Sequence, residues 1–351
     1  VSQRSLAAGG AFRDPDFQSV VSGRELAELV KQGVVNAADR QPAASDASTG
    51  IELRLGPVAY QMRSVLGPNQ SDVLDFAAPY ILGERELSGA GSLLEVGRSY
   101  LIPLKERLEL PRQFVGIAAP TGATARADVR IRLLADTTSA FDRIAGGYRG
   151  PLYLQVVTRS FPLMAYEDLV LGELRLIDLE SQPPDPGARY PVLVDLSGSE
   201  GVVGYKARRD GLAVDSRTPL SSDPSIFWEE VEADHPGSVL LHPNEFYLLQ
   251  SNHIEVPGLS VMRSVDPTGG LLDMPRLLFH DDQSWSEVES DLPGHRIVLP
   301  IRTRDVPFAL DHGAHLGDVK QLVTGGVVGN EAWRLDEGVS QLFRRFRKNP
   351  S

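Results

Sequence analysis

The sequence predicts a mainly β protein made of two tandem copies of one domain, with short peripheral helices. Three observations carry that expectation. Glycine and proline supply 58 of 351 residues and fall between short apolar runs, the punctuation of many strands rather than of a helical bundle. Three ordered sequence matches recur at an offset of 145–146 residues, which marks a duplication with too few copies for a solenoid. Between the copies, Ser181-Gln182-Pro183-Pro184-Asp185-Pro186-Gly187 breaks every periodicity, because three prolines and a glycine continue neither a helix nor a central strand. The expected organisation is an N-terminal helix and first β domain over 1–182, a Pro-rich linker over 183–190, and a second β domain with a basic C-terminal helix over 191–351.

Ser22 with Glu25 three residues on forms a capping box ahead of Leu26, Leu29 and Val30, so a short helix starts there. Residues 36–50 are small and polar and read as a mobile surface loop. Strand-like runs then alternate with Gly, Pro and Asp at Ile51–Leu55, Ser99–Leu104, Val129–Leu134, Leu152–Val157 and Leu169–Ile177. The repeat aligns Tyr100-Leu101-Ile102 with Phe246-Tyr247-Leu248, Thr158–Leu163 with Thr303–Phe308, and Leu171–Leu174 with Leu316–Val319. At the end, Leu342, Phe343 and Phe346 among Arg344, Arg345, Arg347 and Lys348 suit an amphipathic helix, either docking by its aromatic side or clamping an anion.

Composition removes several function classes. With no cysteine, a disulfide scaffold, a thiol enzyme and Cys-ligated zinc are all excluded. The net charge of −12 repels phosphate backbones, so no nucleic-acid partner is expected. No apolar run reaches membrane-span length and no leader-like segment opens the chain, which predicts a cytoplasmic protein without a membrane partner. The basic residues are five lysines and thirty arginines, a bias that codon usage in a GC-rich genome also produces. His312-Gly313-Ala314-His315 has metal-like spacing without a third ligand nearby, so no metal and no other cofactor is expected. No Gly-x-Ser-x-Gly elbow and no Gly-rich phosphate loop is present.

Pro120-Thr121-Gly122-Ala123-Thr124-Ala125-Arg126-Ala127-Asp128-Val129, Ala140-Phe141-Asp142-Arg143-Ile144 and Gly147-Tyr148-Arg149-Gly150-Pro151-Leu152-Tyr153 resemble the first half of the long, internally duplicated bacterial dCTP deaminases. Val194-Asp195-Leu196, Gly204-Tyr205-Lys206-Ala207-Arg208, Phe227-Trp228-Glu229, Pro243–Leu248 and Val306-Pro307-Phe308 with His312-Gly313 match the second half in order. The likeness spans most of 20–330. It implies tandem dUTPase-like β-clip domains, a small-molecule substrate, and assembly as a homo-oligomer, usually trimers with sites between subunits.

The resemblance also implies a glutamate that activates water for attack on cytosine C4, on the strand after the Gly-Tyr-x-Gly turn. That role needs a proton acceptor near neutral pH. Gln155 stands there in the first half and Pro300 in the second; an amide is no general base, and a proline also removes a ladder N–H, which suggests an edge strand or a bulge. Gln155 is open to two readings, a ligand-holding amide or a buried amide in a satisfied network. The family's Gly-Glu-Phe-Arg-x-His-Tyr-Ala-Gly-Phe-Phe-Asp stretch is here Gly270-Leu271-Leu272-Asp273-Met274-Pro275-Arg276-Leu277-Leu278-Phe279-His280-Asp281, a gain of apolar residues. The family's paired serines before a phosphate-binding arginine are Gly122-Ala123, while Arg126 remains, either for phosphate or paired with Asp128 or Asp136.

Three functional readings are open. First is a repurposed enzyme on an apolar non-nucleotide substrate of specialised metabolism, a cyclase, cycloaddition catalyst or isomerase working by confinement. Its hydrogen-bonding groups are Gln155, Arg276, His280 and Trp285, and its binding residues Arg126, Leu271, Leu272, Met274 and Leu278. Second is a catalytically silent nucleotide-binding protein using Arg126, Asp142, Lys206 and Arg208. Third is a dCTP deaminase whose base has moved to Glu167, Asp142 or His280.

Overall fold

The computed structural model describes residues 19–21, 23–37, 50–180, 189–198, 201–215, 217, 224–254, 260–263, 272–274, 277–279 and 296–321. Antiparallel sheets dominate. In the first half, Phe114–Pro120, Val170–Asp178, Ser19–Val20 and Ile51–Arg54 build one sheet with the short strand Arg143–Ile144. A second sheet runs in the order Ile81–Glu86, Val58–Met62, Ser99–Glu109, Arg149–Thr158, Val129–Ala135. Period-2 alternation decides the faces: Leu152, Leu154 and Val156 of Arg149–Thr158 point into the core with Ile102, Ile131, Leu133 and Leu174. Tyr153 points the other way, onto Met62, Leu66, Val73, Leu101 and Leu134.

The helix Gly23–Lys31 buries Leu26, Ala27 and Val30, as its spacing predicts; Ser22 lies outside the described residues. Asn36 and Ala37, expected in a loop, instead form the strand Val35–Ala37 against Glu106–Leu108. Edge pairing supplies backbone hydrogen bonds that composition does not register; residues 38–49 lie outside the described set.

The second half repeats the first down to single hydrogen bonds. The Tyr100 hydroxyl accepts from the Glu95 N–H at 3.1 Å, and that of Tyr247 from the His242 N–H at 2.8 Å. The Thr158 and Thr303 hydroxyls donate to the carbonyls of the same two residues, Glu95 and His242. Gly97 and Asn244 take the same left-handed turn with φ of +74° and +60° and donate to the Thr158 and Thr303 carbonyls. Tyr100 therefore answers to Tyr247, not to Phe246 as the sequence alignment placed it. The chain absorbs the difference before Thr158, from which the downstream matches hold: Leu163–Ala165 answers to Phe308–Asp311, and Val170–Asp178 to His315–Gln321.

The halves share a core. Phe161 of the first half packs edge-on to Phe227 and Trp228 of the second, with ring centroids 5.6 and 5.4 Å apart. Tyr205, Phe246, Leu248 and Val298 join the first half's apolar cluster. In exchange the helix Gly122–Arg126, capped by the Thr121 hydroxyl accepting from the Thr124 N–H at 3.2 Å, sends Ala125 into the second half's cluster with Leu272, Leu299 and Ile301. Pro300 sits in Val298–Thr303, opposite Leu248. On its other side, among the described residues, the strand Leu272–Asp273 pairs with Thr303 and Arg302 and does not reach Pro300.

Candidate functional site

Gln155 is 4% exposed, on the face of Arg149–Thr158 that carries Tyr153. Its Oε1 accepts from the Leu66 N–H at 2.6 Å and its Nε2 donates to the Leu66 carbonyl at 3.4 Å. Both ends of the amide are spent on one backbone residue, so Gln155 clamps the segment that covers this sheet face, through Leu66 and the helix Val73–Ala77. Asp136 holds the same segment by accepting from the Val73 N–H at 2.9 Å.

Beside that covered face, a cavity of about 430 Å³ opens between the halves. Its floor is apolar, from Ile117, Ala119, Pro120, Val129 and Ile131, with Phe141 and Phe246 as aromatic walls. Among the described residues its charges are four guanidiniums, Arg130, Arg132, Arg143 and Arg159, and three carboxylates, Asp128, Asp142 and Asp273. Asp142, in left-handed backbone, binds Arg132 and accepts from the Leu133 N–H at 2.7 Å. Asp128 binds Arg302 and accepts from the Ser160 hydroxyl at 2.7 Å, tying the halves together. Burial drives the Asp128 carboxyl upward, and the charges of Arg302 and Arg159 only partly offset it. Arg159 donates to Asp273 at 2.7 Å, and Arg130 lies 3.7 Å from the same oxygen. Arg130 is lowered, chiefly by burial and further by Arg132, Arg159 and Arg304 around it. Guanidiniums outnumber carboxylates among the described lining residues, which favours anions there.

Residues 17–180 match the 2'-deoxycytidine 5'-triphosphate deaminase (DCD) N-terminal domain and residues 173–324 the C-terminal domain of the same family. The chain belongs to the dCTP deaminase family. The crystal structure of 2'-deoxycytidine 5'-triphosphate deaminase from Agrobacterium tumefaciens superposes with a TM-score of 0.76 at 28% identity, over 87% of this chain and 98% of that one. No curated protein matches the chain. Family membership agrees with the mainly β fold expected from the sequence.

Within this family fold, the expected site residues scatter. Arg126 is buried at the end of its helix, and desolvation pulls its guanidinium down to about 9, which leaves it cationic at neutral pH. Neither acid expected beside it has that role, since Asp128 serves Arg302 and Ser160, and Asp136 serves the Val73 N–H. Met274 lines the cavity. Leu272, expected to do so, is instead buried among Leu299, Ile301 and Val319, because pairing with Thr303 turns it into the second half's core. Leu278 lies in the strand Leu277–Phe279 opposite Val261, beside the helix that carries Arg126. Leu271, Arg276, His280 and Trp285 fall outside the described residues, as does the expected C-terminal helix. Gln155 does not reach the cavity.

Of the other candidates, Glu167 pairs with Lys105 at 2.9 Å and accepts from Ser88 at 2.8 Å, away from the cavity walls. Lys206 pairs with Glu245 at 3.0 Å and Arg208 with Asp210 at 3.2 Å. His312 Nδ1 accepts from the Leu196 N–H at 3.0 Å, and His315 lies 3.0 Å from Asp318. Among the described residues no group of three or more His, Asp or Glu side chains is placed to hold a metal ion, and no helix is long and apolar enough to cross a membrane. Sequence reasoning missed Arg130, Arg132 and Arg159. The Arg-x-Arg alternation on Val129–Ala135 was the available signal, since residues two apart share a strand face.

Proposed function

We propose that this chain binds a phosphorylated nucleotide in the cavity between its halves and does not deaminate at its first-half centre. One observation carries the reading: where the family resemblance places the water-activating glutamate, Gln155 has both amide ends engaged by Leu66. It has no general base to offer, and its carbonyl and amino ends are already held by the Leu66 backbone. The cavity supports the ligand class. Its arginines suit phosphate oxygens, and Phe141 and Phe246 in its lining offer apolar contact for a base or sugar. The name of the Agrobacterium protein supplies the first ligand to try, dCTP.

A second reading, turnover of a non-nucleotide substrate by confinement, rests on Met274, the expected apolar residue that does reach the cavity wall. Charged walls place it behind the first. Calorimetric titration with dCTP, dUTP and dTTP in magnesium, followed by chromatography of the dCTP reaction, tests both. Saturable nucleotide binding without dUTP formation is the expected result. Steady conversion of dCTP to dUTP refutes the loss of deamination. Absence of nucleotide binding at millimolar concentration, alongside capture of a hydrophobic dye, moves the assignment to the second reading.

A further inference from the structure

The three cavity carboxylates are not equivalent. Asp142 is fixed by a backbone N–H as well as by Arg132, and Asp128 by a hydroxyl as well as by Arg302. Asp273 comes from the second half on the two-residue strand Leu272–Asp273 and reaches across the cavity to the first half. The same oxygen, Oδ2, lies 2.7 Å from Arg159 and 3.7 Å from Arg130. One anionic oxygen between two guanidiniums is the arrangement by which proteins hold a free phosphate or carboxylate. Burial pushes the Asp273 carboxyl upward, but the Arg159 hydrogen bond and the charges of Arg159, Arg130 and Arg304 outweigh it and hold the group below the usual carboxylate range. At neutral pH the position is therefore occupied by a full negative charge.

We infer that Asp273 is an internal anion that occupies the ligand's place on Arg159 and Arg130, a built-in competitor that a phosphate-bearing ligand must displace. The inference rests on the cavity being the nucleotide site. A ligand entering with one phosphate exchanges one arginine-bound anion for another and gains little. The competitor lowers the affinity of each ligand that takes this arginine pair, and by a common factor, because each displaces the same carboxylate.

The test compares dCMP and dCTP binding to the full chain and to Asp273→Asn by calorimetry at fixed salt. The amide keeps an oxygen for Arg159 while removing the charge. Asp273→Asn is expected to bind dCMP roughly tenfold or more tightly than the parent, the scale of one charge-assisted hydrogen bond. dCTP is expected to gain by a similar factor, because it displaces the same carboxylate. Asp273→Ser, a smaller side chain that retains a hydroxyl acceptor, gives the same readout if the amide variant does not fold. If the parent binds dCTP while neither variant binds dCMP or dCTP more tightly than the parent, the competitor role is overturned and the site assignment survives. If neither parent nor variants bind any nucleotide, the site assignment fails and takes the competitor role with it.

Discussion

Replacing Gln155 with glutamate restores the residue type that the family resemblance calls for, at a position whose hydrogen bonds suit an amide and not a carboxylate. The Leu66 N–H at 2.6 Å still finds an acceptor, but the Leu66 carbonyl, which now receives Nε2–H at 3.4 Å, faces an ionised oxygen instead. A buried carbonyl without its donor costs about 1–3 kcal/mol, and an uncompensated buried charge raises the loss to about 3–5 kcal/mol. A protonated carboxyl donates to that carbonyl as the amide does, so the loss depends on pH. Linkage sets the sign. Burial raises the variant's folded-state pKa above the unfolded value of about 4.3. The variant is therefore closest to wild type below that value and loses about 1.4 kcal/mol per pH unit as pH rises toward the folded pKa. Urea denaturation midpoints of Gln155→Glu and the parent between pH 4.5 and 8 measure the difference, with other titrating groups cancelling in the comparison. No dUTP should form from dCTP, because the side chain remains directed at Leu66. A variant as stable as the parent at pH 8, or one that deaminates, refutes the clamp.

Three further outcomes are expected. Phe161→Ala removes a ring packed on Phe227 and Trp228; it should cost about 3–5 kcal/mol and lower the calorimetric transition of both halves together, since their core is shared. Gly146→Ala should destabilise by about 1–3 kcal/mol or more, read as a drop in thermal midpoint, because the new Cβ falls 2.3 Å from the Arg112 carbonyl oxygen and 2.8 Å from that of Phe114, both backbone atoms. Asp195 is pushed up by burial but held lower overall by the Ser197 side chain and N–H and by Arg296. The stability it contributes is present above the ordinary aspartate range and lost as pH falls through its lowered pKa, so the parent's urea midpoint should fall more steeply than that of Asp195→Asn on acidification below about pH 4.

The sequence by itself determined the fold class, the strand runs and the duplication, because each is written in local order: period-2 alternation, Gly and Pro punctuation, and residues recurring in register. It also located Gln155 and Pro300 where the family resemblance places a glutamate, since residue type is a property of the chain. What Gln155 does was decided by Leu66, 89 residues away, and only folding sets such a distance. Likewise Leu272 and Met274 read alike as apolar neighbours, yet strand pairing with Thr303 buries one in the core, while the other lines the cavity. The cavity itself had only a partial signature in the chain, the Arg-x-Arg alternation of Arg130 and Arg132. Its arginines come from Val129–Ala135, Arg143 and Arg159, and its bridging carboxylate from Asp273, 114 residues beyond Arg159. Attraction between charges depends on separation in space, which one-dimensional order does not encode until the two halves close on a common core.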